Sequence, residues 1–193
     1  MEERLKYILA QVIDWLKFAE TKNAALVGFT GAAILALIGA VKDIGNAAIS
    51  YFIIHVTIPG FLIALFISLN SFRGILSKYF KHRAAAPSKD DHVFFYGDIQ
   101  KYTDKQYLHK LYTLHEETAP EKFNRLEIEL ACQIIINSKV ASRKFRLFNT
   151  GLNVTLATVA LSFILAILPY YSSSVLHFFT DCLDLGIEKY SKP

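Results

Sequence analysis

The residues best suited to chemistry are cationic, and they crowd one place. Lys139, Arg143, Lys144 and Arg146 sit directly before a long apolar block, and Lys22 stands just before another. A guanidinium suits a phosphate because its planar fork bonds two oxygens at once. The same side chains also serve simply to mark a membrane boundary, and position alone favours that use. His55 falls inside an apolar block, where a histidine is a candidate for function; a bond to a neighbouring helix, or a place near the outer interface, is the favoured alternative. His109 and His115 are six residues apart and so on opposed faces of a helix, whereas a metal pair prefers three or four. Asp90 and Asp91 read as a solvated loop pair. The chain has no Walker loop, GxGxxG, HExxH, CxxC or GxSxG. No enzyme, cofactor or metal site is expected.

Those cations must be positioned by three apolar stretches. They run Ala24–Val41, Ala47–Phe72 and Leu147–Tyr171 within 193 residues, of which 53% are hydrophobic. A hydrocarbon core of about 30 Å needs about 20 apolar helical residues, so each stretch reads as a membrane span rather than a buried core helix. The segment Arg73–Arg146 holds 14 of the 21 Lys and Arg residues against nine acids. The positive-inside rule puts it and the N-terminus in the cytoplasm, with the Lys42–Asn46 loop and the C-terminal tail outside. Residues 1–23 are charged throughout, so no cleaved leader is expected. Cys132 and Cys182 then lie on opposite sides of the bilayer and have no metal-site spacing. The pI near 9 comes largely from membrane-flanking residues, and nothing resembles a nucleic-acid recognition motif.

The expected architecture is an all-α membrane protein. Residues 1–23 form a cytoplasmic amphipathic helix, 24–72 a transmembrane hairpin (spans 24–41 and 47–72), and 73–146 a cytoplasmic helical module. Residues 147–171 form a third span and 172–193 an extracytoplasmic tail. Leu5, Ile8, Leu9, Val12, Ile13, Leu16 and Ala19 recur at helical spacing, and a partly acidic polar face favours packing on another helix over lying on lipid. Gly28, Ala32, Ala36 and Ala40 form a small-residue stripe for close helix packing, within the chain or between copies. Pro59 predicts a kink. Lys78, Lys81, His82 and Arg83 suit anionic headgroups. HVFFYGDI (His92–Ile99) reads as a short extended segment. Thr103 and Gln106 form a capping-box pattern opening a helix over Asp104–Glu117. Pro120 suits the first turn of a last helix running from Glu121 to Leu168, which Pro169 ends. That helix joins the cytoplasmic module to the third span as one rod. A weaker amphipathic stretch, Val175–Ile187, follows.

Three runs carry a resemblance: Trp15–Ala33 (WLKFAETKNAALVGFTGAA), Phe94–Tyr102 (FFYGDIQKY) and Ser142–Phe148 (SRKFRLF). Together with the two-plus-one span order, over roughly residues 10–170, they resemble the Pycsar transmembrane effector family. Glu20 and Lys22 match its acidic-x-Lys step. Phe95, Gly97, Asp98 and Ile99 match its Phe-x-Gly-Asp-Ile-like motif, and Lys144, Phe145 and Arg146 its basic-aromatic run. The tail after Tyr171 has no counterpart. The resemblance implies an anti-phage effector of the bacterial inner membrane. It would answer a cyclic pyrimidine mononucleotide, cyclic UMP or cyclic CMP, made by a partner nucleotide cyclase, and would disrupt the membrane as a homo-oligomer. Lys22, Asp98, Lys139, Arg143 and Lys144 are the expected ligand residues. Asp98 would accept from ribose hydroxyls or cap the turn after Gly97, and the cap is favoured. A related effector of cyclic oligonucleotides and a ligand-free membrane scaffold are the alternatives.

Overall fold

A computed structural model describes residues 1–44, 51–73 and 86–190. Every regular element among them is helical. In order they are α1 (Glu2–Val41), a π-helical turn (Ile53–Thr57) leading into α2 (Ile58–Leu69), a 3-10 turn (Asn70–Phe72), the single-turn α3 (Tyr96–Ile99), α4 (Asp104–Leu114) and α5 (Arg125–Tyr190). Among the described residues three helical stretches are long and apolar enough to cross a membrane: Glu2–Val41, Ile53–Phe72 and Arg125–Leu165. The protein is an all-α membrane protein, as its hydropathy requires. The turn after Lys42, the start of the expected second span at residues 47–50, and the basic residues Lys78, Lys81, His82 and Arg83 fall wholly or partly outside the described residues.

The chain divides into two compact units, Met1–Phe29 with Leu65–Leu152, and Thr30–Ala64 with Asn153–Pro193. In the first, the three-and-four spacing of α1 does what it predicts. Leu5, Ile8 and Val12 are buried in one core with Tyr107, Leu108 and Leu111 of α4 and Leu130, Ala131, Ile134 and Ile135 of α5. Each fully buried Leu or Ile contributes about 1.5–3 kcal/mol, so this core fixes α1 against the insertion.

Several boundaries differ from the expectation, each for a local reason. Thr103 and Gln106 form the capping box (Gln106 N to Thr103 Oγ1 3.4 Å, Thr103 N to Gln106 Oε1 3.1 Å). The helix they open stops at Leu114, three residues early. Glu116 adopts φ 56°, and Glu117 N donates to Tyr112 O at 3.1 Å while Glu116 N donates to Thr113 O at 3.2 Å. That is a Schellman stop with a glutamate where glycine is usual. The last helix begins at Arg125 and not near Pro120. Asn124 Oδ1 accepts from Leu126 N at 3.3 Å, and Glu127 Oε2 accepts from Asn124 N at 3.4 Å, so Asn124 is the cap. His92–Ile99 is not extended: its first residues turn and Tyr96–Ile99 is helical. Asp98 Oδ2 accepts from His92 N at 3.1 Å and closes the segment on itself. At the far end, α5 runs through Pro169 to Tyr190. Proline removes one hydrogen bond from a helix, a loss that membrane helices tolerate more readily than soluble ones.

In the second unit the missing amide of Pro59 is absorbed by the π-helical turn before it, where Ile58 N donates to Ile53 O. His55 is used within its own helix: its Nδ1 lies 3.0 Å from Tyr51 O, and its ring stacks on Tyr51 at 4.1 Å. Close helix approach is made by Gly60 of α2, where an added Cβ would collide with the Thr158 side chain of α5. Thr57 and Ser162 bond one another at 2.8 Å across the same contact. The stripe Gly28, Ala32, Ala36 and Ala40 is exposed.

Candidate functional site

The five expected ligand residues do not converge, and helix ends explain why. Arg143 donates to Asn70 O at 3.2 Å and to Arg73 O at 3.4 Å. Lys144 Nζ donates to Ser71 O at 3.0 Å, pairs with Glu20 Oε1 at 3.1 Å, and lies 5.6 Å from the Phe72 ring. The last carbonyls of a helix have no partners within it and attract cations. Arg143 and Lys144 of α5 therefore close the end of the α2 segment, and Asn23 adds to the junction by donating to Ala19 O and Lys144 O at 2.9 and 3.1 Å. Lys139 is half-buried on α5 with no hydrogen bond or ion pair among the described residues.

Asp98 is held in an ion triad. Lys101 Nζ donates to Asp98 Oδ1 at 2.6 Å and to Asp91 Oδ1 at 2.7 Å. Ser88 N and the Tyr102 hydroxyl complete Asp91 at 2.8 and 3.0 Å. Lys101 and the Ser88 amide hold the Asp91 carboxyl down at about 2, so this acid is a partner in structure rather than a solvated loop residue. Burial first, then Asp91, raises the Tyr102 phenol to about 12. Tyr107, buried and raised by desolvation, donates to Val93 O at 2.7 Å. These bonds lock the chain on both sides of Phe94 and Phe95. A Cβ on Gly97 would meet the Phe95 ring and push it aside.

What the locked segment builds is a groove of about 570 Å³, lined by Gln11, Asp14, Trp15 and Phe18 of α1 and by His92, Phe94 and Phe95. Its aromatic side chains are partly open: Trp15, Phe18, Phe94 and Phe95 are 41–48% exposed. Behind them Tyr96 stacks on Phe145 at 5.0 Å, and Trp15 lies 5.7 Å from Tyr96 and 6.3 Å from Phe145. Lys22 Nζ hangs over this cluster, 4.6 Å from the Phe18 ring and 5.2 Å from that of Phe148. No carboxylate pairs with it among the described residues, whereas Asp14 has Lys17 at 3.3 Å. Open ring faces, a carboxamide and one available ammonium suit a planar, singly charged anion. Lys22 is thus the expected residue that lies beside a groove. The groove residues themselves are not among those expected from the sequence, although Trp15, Phe18 and Lys22 fall on one helical face at i, i+3 and i+7. Among the described residues no three metal-ligating side chains come together.

The sequence model of the Pycsar effector protein domain matches residues 4–171. The chain belongs to the Pycsar effector protein family. It is 28% identical over 141 residues to the Pycsar effector protein RsPycTM of a Rhizobium species, covering 72% of this chain and 79% of that protein. No solved structure matches. The Pycsar match takes in the apolar stretches of all three membrane-capable helices, the junction around Lys144, and every residue of the groove. Only the tail after Tyr171, for which no resemblance was expected, lies beyond it on the C-terminal side.

Proposed function

We propose that this Pycsar effector senses a cyclic pyrimidine mononucleotide, cyclic UMP or cyclic CMP, and answers by breaching the bacterial inner membrane, which ends phage infection by sacrificing the cell. The observation that carries this reading is the family match over residues 4–171, joining a groove-bearing unit and the membrane-capable helices in one domain. The volume of about 570 Å³ falls in the range of single small-molecule sites and is ample for one cyclic mononucleotide. The partner is a nucleotide cyclase that makes the messenger on infection. The basic segment Arg73–Arg146 faces the cytoplasm, where the messenger appears, and copies of the chain act together in the bilayer.

Helices α1 and α5 each contribute to both units, so a change in packing around the groove is passed along these two helices. The energy needed is modest. A ligand shifts a conformational equilibrium only through its differential affinity; at a hundred times Kd it supplies about 2.7 kcal/mol to the state it prefers. Calorimetric titration of the purified protein in detergent tests the reading. Saturable heat with cyclic UMP or cyclic CMP supports it. Heat only with cyclic dinucleotides transfers the protein to another signal, and no heat with any of them makes it a scaffold.

A further inference from the structure

We infer that the groove between α1 and Phe94–Phe95 is the nucleotide site, with the base stacked among Trp15, Phe94 and Phe95 and the cyclic phosphate held by Lys22. This site presupposes the sensing role just proposed and gives it an address and an orientation. Three observations converge on it. The aromatic rings that line the groove are open although large rings are ordinarily buried, and base–ring stacking is a sequence-tolerant source of affinity. Their backbone is fixed from both sides by the Asp98–Lys101–Asp91 triad and by Tyr107, so the walls are preorganised. The charges are also polarised along α1. Asp14 lines the groove and is paired with Lys17 at 3.3 Å, while the Lys22 ammonium, two turns further along, sits over Phe18 without an anionic partner among the described residues. An anion therefore has one favourable orientation. Asp14, Gln11 and His92 are the polar side chains that line the groove, an acceptor and two donor–acceptors able to meet the polar rim of a pyrimidine.

Trp15 is the sole tryptophan of the chain, so the site carries its own reporter. Cyclic UMP or cyclic CMP should change its fluorescence over the same concentrations that give calorimetric heat. Trp15→Ala should weaken binding about 5- to 150-fold, the loss of one stacked base, and Trp15→Phe by less. Lys22→Gln should weaken the cyclic nucleotide at least about fivefold while leaving the uncharged nucleoside unchanged, and Lys22→Arg should restore the difference. A merely structural lysine would not produce that charge-selective pattern. Circular dichroism of each variant separates loss of binding from loss of fold, and Trp15→Phe and Lys22→Arg keep the test alive should the bolder variants unfold.

Calorimetric binding with unchanged Trp15 emission, and with Trp15→Phe and Lys22→Gln affinities within twofold of wild type, would overturn the site while leaving the sensing role intact. Quenching of Trp15 by brominated lipids in nanodiscs, equal with and without nucleotide, would also overturn it, since the rings would then be seated in the bilayer interface. Absence of heat with any nucleotide removes the sensing role and the site together.

Discussion

Lys144→Met separates a structural cation from a ligand-binding one. The Nζ atom donates to Ser71 O at 3.0 Å and meets Glu20 at 3.1 Å, with the Lys144 side chain 10% exposed and that of Glu20 46% exposed. A charged donor to a carbonyl contributes about 1.5–3 kcal/mol. The half-exposed ion pair adds only about 0.5–1 kcal/mol after screening. Methionine keeps most of the buried stem, so the packing loss is small. The expected destabilisation is about 2–4 kcal/mol, or about 4–16 °C in Tm for a chain of this size. Glu20→Gln, which removes only the pair, should cost about 0.5–1 kcal/mol. Thermal unfolding in nanodiscs, followed by Trp15 emission, reads both, and calorimetry on the folded Lys144→Met protein should find cyclic-nucleotide affinity within about threefold of wild type. A Tm within 1 °C of wild type combined with a tenfold or greater loss of affinity would refute the assignment and return Lys144 to the binding site.

Three further outcomes follow from the same geometry. Glu116→Gly should raise stability by about 0.5–1 kcal/mol, because glycine takes the φ of 56° without the cost that a side chain incurs there; a fall in Tm would mean that Glu116 does more than end α4. Gly60→Val should lower stability by at least about 1–3 kcal/mol through collision with Thr158, and Gly60→Val combined with Thr158→Ala should recover part of it; purely additive effects would disprove the close approach. Asp91 titrates near 2 in the folded protein, below its ordinary unfolded value of about 3.9, so its contribution is complete above about pH 4 and is lost as the pH falls towards 2. Wild type should therefore lose Tm more steeply than Asp91→Asn between those values, and parallel curves would remove Asp91 from the triad.

What is legible in the sequence is what depends on single segments. Each span shows as a charge-free run of membrane length, α1 announces its buried face through Leu5, Ile8 and Val12, and Thr103 with Gln106 signals the start of α4. Asn124 and Glu127 carry an equally plain cap signature, which Pro120 obscures by offering a competing helix start. The Glu116 stop cannot be read, since glutamate gives no hint of a left-handed φ. The candidate site is less legible for a tertiary reason. Arg143 and Lys144 read in sequence as membrane-boundary cations or phosphate ligands, and only the arrival of the Asn70–Arg73 carbonyls shows what engages them. The groove likewise requires Phe94 and Phe95 to be carried against Trp15 by bonds between residues as distant as Val93 and Tyr107. Lys22 can be placed because it shares a helix with the Trp15 and Phe18 rings.

The most direct test of the account is release of an encapsulated dye from liposomes holding the purified protein. Cyclic UMP or cyclic CMP should trigger release at concentrations matching calorimetric binding, and Lys22→Gln should shift that dependence to higher concentration. Vesicles that stay sealed at saturating nucleotide, or that leak equally without it, would contradict a nucleotide-gated membrane effector.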